Sequence, residues 1–132
     1  MSPVGLRRIG LGLTGFVALF LAMDAGGKLF APALMIANSP PLGLPADEGF
    51  HRMLGAILAL SLGLFLYPRT AVLGAILLTG YLGGAVATHL RIGSPLVSHT
   101  LFGVYLGMAV WAALWCRLPT LRALIPLRSE TP

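Results

Sequence analysis

Four apolar stretches dominate this chain, each close to the ~20 residues that a helix needs to cross the hydrocarbon core of a bilayer. They predict helices over residues 8–30, 50–67, 71–90 and 95–117. Arg7 and Arg8 front the first, and from Arg8 to Lys28 a helix rises roughly 30 Å, one bilayer core. The second stops at Pro68, which cannot continue a helix interior. The third lies between Arg69 and Arg91. Ser94 and Pro95 predict an N-cap followed by proline at the first helical position of the fourth, which ends near Cys116 and Arg117. Hydrocarbon offers no water to backbone N–H and C=O groups, so these runs are expected as helices. The expected fold is all-α, one polytopic domain over residues 1–132 built as a four-transmembrane-helix bundle.

Composition supports that class. Of the 132 residues, 57% are hydrophobic and only 10% are charged, against about 25% charged in a soluble domain. The formal net charge of +5 does not point to nucleic acid, because the basic residues are dispersed between apolar runs and form no stripe interleaved with aromatics. In those positions they read as anchors to lipid headgroups. The single cysteine, Cys116, excludes an intrachain disulfide and a Cys-x-x-Cys redox pair. Any redox chemistry would need a cofactor or a partner, and the sequence names no cofactor.

Two segments lie outside the spans. Residues 31–49 hold Pro32, Pro40, Pro41 and Pro45, which predicts a loop with a short interfacial helix around residues 33–37. Residues 118–128 carry Leu121, Leu124 and Ile125 with Arg122 and Arg128, the pattern of a short amphipathic segment lying on the membrane; residues 129–132 read as a tail. Two arginines before an apolar stretch also describe a signal peptide. Here the stretch runs into Met23, Asp24 and Ala25 rather than a small-residue cleavage pattern, so it is expected to remain as a helix.

Basic residues favour the cytoplasmic side of a membrane. Arg7, Arg8, Arg69, Arg117, Arg122 and Arg128 fall at one end of the bundle, whereas Lys28, Arg52 and Arg91 fall at the other with Asp24, Asp47 and Glu48. That bias predicts a multi-pass protein of the cell inner (cytoplasmic) membrane with both termini cytoplasmic. His51, His89 and His99 then lie at the outer ends of their helices.

Membrane helices associate where small residues let backbones approach, and Gly80 with Gly84 and Gly103 with Gly107 are spaced as GxxxG. They predict close packing of the third helix on the fourth. His99 lies four residues before Gly103, His51 four before Gly55, and His89 shares a face with Ala85 and Tyr81. Asp24 and Lys28 are i,i+4 neighbours. A candidate ligand-binding polar cluster follows: Asp24, Lys28, His51, Thr88, His89, Arg91 and His99. Ionisable groups at membrane depth are costly and mark functional sites by default.

Each also has a structural alternative: a snorkelling Asp24–Lys28 pair, a headgroup-anchoring Arg91, and histidines bonded across helices. Histidine suits zinc, copper or haem iron, but no ligand spacing such as HExxH occurs, so no metal is expected. Tyr81, Tyr105, Trp111 and Trp115 read as packing or interface aromatics. No catalytic residue can be named.

Residues 67–93, YPRTAVLGAILLTGYLGGAVATHLRIG, and 101–128, LFGVYLGMAVWAALWCRLPTLRALIPLR, resemble the DoxX-like family of small bacterial membrane proteins. Residues 24–30, DAGGKLF, are similar to that family's Asp/Gly…Lys-Phe ending of helix one. The resemblance spans roughly residues 24–128 and implies a four-helix membrane bundle. It carries over Asp24, Lys28, Thr79, Thr88, His89 and Arg91 as positions inside matching strings. The family's name comes from subunits of a thiosulfate–quinone oxidoreductase, most members have no assigned activity, and distant animal relatives act as assembly chaperones. Many members have a glutamate early in helix two, whereas residues 54–60 here, LGAILAL, hold no acid.

Three functional classes stay open. The favoured one is a membrane accessory protein, of redox or quinone-linked metabolism, that binds a quinone or other lipophilic small molecule in the outer half of the bundle. The others are a small membrane enzyme using acid–base chemistry on a lipophilic substrate, and a structural partner or assembly factor without a ligand. Expected partners are the lipid bilayer and either a membrane protein or a second copy of the chain.

Overall fold

Capping residues and prolines set the helix boundaries in the computed structural model, which describes residues 1–38 and 42–128. Pro40, Pro41 and the tail at 129–132 lie outside the described residues. Helix α1 runs Pro3–Phe30, earlier than the apolar pattern predicts, because Ser2 accepts from the Gly5 N–H at 3.1 Å and Pro3 fills the first turn. Pro32 opens the short α2, Pro32–Asn38. The Asp47 carboxylate accepts from the Phe50 N–H at 2.7 Å and starts α3, Glu48–Leu66, which stops before Pro68. Helix α4 is Ala71–Arg91 and α5 is Phe102–Arg117. Of the C-terminal segment only α6, Pro119–Arg122, is helical. Beyond it the Trp115 indole N–H donates to the Ile125 carbonyl at 3.1 Å and turns the chain back on α5.

The fourth span does not begin as expected. Ser94 caps no helix: its hydroxyl pairs with His89 Nδ1 at 3.0 Å, and its carbonyl accepts from Thr100 Oγ1 at 3.3 Å. A π-helical turn, Leu96–Thr100, takes the place of the first α turn. Its wide ring is closed by the Leu101 N–H bonding the Leu96 carbonyl at 2.9 Å. Such turns recur at functional sites.

Four helical stretches, Pro3–Phe30, Glu48–Leu66, Ala71–Arg91 and Leu96–Arg117, are long and apolar enough to cross a membrane. They form an up-down-up-down ring in which α1 packs on α3 and α5, and α4 packs on α3 and α5, while the backbones do not approach one another across either diagonal among the described residues. The fold is a four-helix transmembrane bundle.

One glycine lets the backbones approach at each seam. A Cβ on Gly10 would lie 2.9 Å from the Ala113 carbonyl of α5, and on Gly55 it would lie 3.1 Å from the Ala25 carbonyl of α1. On Gly74 it would press on the Phe65 backbone of α3, and on Gly103 it would lie 3.1 Å from the Leu82 carbonyl of α4.

The GxxxG expectation therefore holds at Gly103 and needs correction at the other three glycines. A Cβ on Gly80 or Gly84 meets nothing within 4 Å, and at Gly107 it only grazes Leu82 Cδ1 at 4.0 Å. Gly80 and Gly84 border open space because α4 there faces the bundle interior, where the backbone of the diagonal helix stays distant.

The half of the bundle nearer the termini is filled. Val17, Phe65, Leu78, Val110 and Leu114 are completely buried there. Arg117 reaches from α5 to donate to Thr14 Oγ1 of α1 at 3.0 Å. At mid-depth the Trp111 indole N–H donates to Thr79 Oγ1 at 2.8 Å and ties α5 to α4. The opposite half, bordered by the 42–47 loop and the π-helical turn, is open.

Candidate ligand-binding site

That open half encloses a cavity of about 840 Å³ with walls from all four spanning helices. Leu21, Leu54, Leu82, Phe102 and Leu106 make its apolar wall, and Gly80 and Gly84 leave room along α4. Polar residues gather towards the end away from the termini. Asp24, Lys28, His51, Thr88, His89 and His99 all line this one space.

The charged pair comes from α1. Lys28 Nζ bonds Asp24 Oδ2 one turn back, with the lysine side chain only 16% exposed. A snorkelling lysine would leave its ammonium in water, whereas Lys28 turns into the bundle and holds its ammonium 6.0 Å from the Tyr81 ring centroid on α4. That is the outer range of a cation–π contact. Its stem passes the seam glycine Gly55 of α3.

The histidines come from α3, α4 and the π-helical turn. His51 is buried, and its Nδ1–H donates to the Asp47 carbonyl at 3.0 Å. The His89 and His99 rings lie 6.1 Å apart, with Nδ1 of each paired to a neighbouring serine hydroxyl, Ser94 at 3.0 Å and Ser98 at 2.7 Å. Thr88 Oγ1 bonds back to the Gly84 carbonyl at 2.9 Å, so it lends the wall a methyl more than a free donor. No three His, Cys, Asp or Glu side chains among the described residues are grouped to hold a metal ion.

Arg91 is not brought to the cavity. Its Nη2 donates to the Leu42 carbonyl at 2.9 Å and lies against Gly43, whose φ of +66° suits glycine. Leu42 and Leu44 of the same loop, with Met35 of α2, close the end of the cavity. Arg91 thus fastens a cover and does not face the enclosed space. Arg91→Ala is expected to speed protease cleavage within residues 42–47 about fivefold, the loss of one hydrogen bond of modest strength, while the spanning helices stay resistant. Limited proteolysis followed by mass spectrometry checks it.

Sequence reasoning missed several lining residues. Tyr81 sits two helical turns from His89 on the same face, which was the available signal; its reading as a packing aromatic overlooked that Lys28 would come to meet it. Phe20, Met23 and Phe102 form a rim on the outer surface, exposed by 41%, 67% and 41%. The Phe20 and Phe102 rings meet at 5.4 Å across the α1–α5 seam. Apolar periodicity does not separate a cavity rim from lipid-facing surface.

These features define a multi-pass membrane bundle with an internal, laterally rimmed cavity. The model of the DoxX-like family matches residues 12–113, and the chain belongs to that family. No curated protein and no solved structure matches the chain.

Proposed function

We propose that this DoxX-like protein is an integral membrane accessory protein that holds a lipophilic small molecule with a polar head. The observation carrying this reading is a single cavity with an apolar wall at mid-membrane and Asp24, Lys28, His51, His89 and His99 at its far end. Ligand pockets combine these traits: mostly apolar lining and a few convergent polar groups. The exposed rim of Phe20, Met23 and Phe102 gives such a molecule a route from the bilayer without crossing water. A quinone, or the hydroquinone it becomes on reduction, has this general build, and binding either would fit a role beside redox enzymes.

The test is to purify the protein in mild detergent, extract it and identify what is bound by mass spectrometry and absorption. A stoichiometric apolar molecule with an oxygenated head, retained less by Asp24→Asn, supports the reading. Only bulk phospholipid in membrane proportions contradicts it.

We further propose that the cavity faces the outer side, with both termini cytoplasmic in the inner membrane. Arg7, Arg8, Arg69, Arg117, Arg122 and Arg128 at the closed end support this orientation. In a Cys116→Ala background, a cysteine at exposed Ala46 is expected to react with a membrane-impermeant thiol reagent in intact cells, and one at Arg69 is not. The reverse pattern inverts the topology.

A further inference from the structure

His51 is the most secluded of the ionisable groups around the cavity, only 7% exposed. Two hydrogen bonds fix its chemistry. Its backbone N–H and its Nδ1–H both donate to the Asp47 carbonyl, at 3.2 and 3.0 Å. A carbonyl can only accept, so Nδ1 carries the proton. In the neutral ring Nε2 is then a bare acceptor. The Phe50 ring meets the imidazole edge-on at 5.9 Å and 77° and holds its plane.

No group among the described residues bonds Nε2, yet no buried side-chain nitrogen or oxygen among them is left sealed off without a partner. Nε2 therefore opens onto space, and the space His51 lines is the cavity. The other polar groups differ. Asp24 is engaged by Lys28, and His89 and His99 are less buried and bonded to serines.

We propose that the cavity selects a lipophilic phenol or alcohol, whose O–H donates to His51 Nε2. The proposal rests on the cavity reading above and narrows its ligand class from any oxygenated head to one that carries a hydroxyl proton. A ketone, quinone or ether offers Nε2 only lone pairs and leaves a secluded acceptor unpaired, which costs more than a hydrogen bond gains. Of a lipophilic carbonyl and its reduced hydroxyl form, the site prefers the reduced one.

Para-nonylphenol and its methyl ether differ only in that proton. Each is titrated into the full chain in nanodiscs, with bound ligand read by native mass spectrometry; comparing wild type with His51→Phe in the same lipid cancels partitioning. The wild type is expected to favour the phenol about tenfold, and His51→Phe to bring the preference close to one. Equal binding of phenol and ether by the wild type overturns the proposal and leaves the cavity reading intact, whereas no saturable binding of either sinks the cavity reading itself. A preference that survives His51→Phe assigns the hydroxyl to another group and also overturns it. Where His51→Phe fails to fold, nitrogen-15 spectra of histidine-labelled wild type decide. Nε2 of His51 is expected to be unprotonated and to shift with the phenol alone; a protonated Nε2, or equal shifts with both probes, contradicts the proposal.

Discussion

Gly74→Ala is expected to destabilise the protein in mild detergent by about 3 kcal/mol, the upper end of the cost of overpacking. The added Cβ would collide with the backbone N and Cα of Phe65 and come within 2.6 Å of the Leu64 carbonyl carbon. Backbone atoms cannot rotate aside as a side-chain tip can. The α3–α4 turn also leaves little slack: the Thr70 N–H bonds the Tyr67 carbonyl at 3.1 Å, and Thr70 Oγ1 bonds the Leu64 carbonyl at 2.8 Å. Gly63→Ala and Gly84→Ala are the controls, since a Cβ there meets nothing within 4 Å. Alanine is the better helix former by about 1 kcal/mol, so neither control should lower stability. Thermal unfolding followed by circular dichroism measures all three, and a uniform shift would contradict the one-glycine-per-seam packing.

Gly84→Leu is expected to leave the bundle folded and to weaken ligand retention at least about tenfold, as occupation of fitted space by extra methylenes does. Gly84 borders the cavity, and nothing else occupies the space a side chain would enter. Gly63→Leu adds the same bulk to an exposed face of α3 and should leave retention unchanged. Native mass spectrometry of the purified variants reads bound ligand directly, and equal retention by both places the ligand outside the cavity.

The architecture was legible because bilayer thickness is a strong ruler. Run lengths near 20 residues place α3 and α4 within two residues of their observed ends. The start of α1 was missed because Arg7 and Arg8 look like a border, whereas helix ends follow capping, and Ser2 with Pro3 supplies the cap outside the apolar run. The π-helical turn was hidden for a related reason: Ser94 has the right type for an N-cap, but His89 five residues earlier takes its hydroxyl.

The polar cluster was legible in part. Helical spacing correctly puts Asp24 beside Lys28 and turns His89 to the face that carries Tyr81. It could not tell which glycines pack and which leave a void, because Gly74 and Gly84 look alike until the neighbouring helix is placed. Nor could it separate Arg91, which grips a carbonyl 49 residues away in sequence, from the side chains that face the cavity.

Photolabelling shows where on the protein a lipophilic molecule sits. An apolar diazirine probe carrying a phenol head is incubated with the protein in nanodiscs and irradiated, and the modified residues are mapped by peptide sequencing. A lipophilic occupant of the cavity predicts saturable labelling concentrated on Phe20, Leu54, Gly84 and Leu106, competed away by unlabelled para-nonylphenol. Labelling spread without competition over outward-facing residues such as Leu11, Leu60 and Leu73 would show that the molecule stays in the bilayer, and would contradict the account.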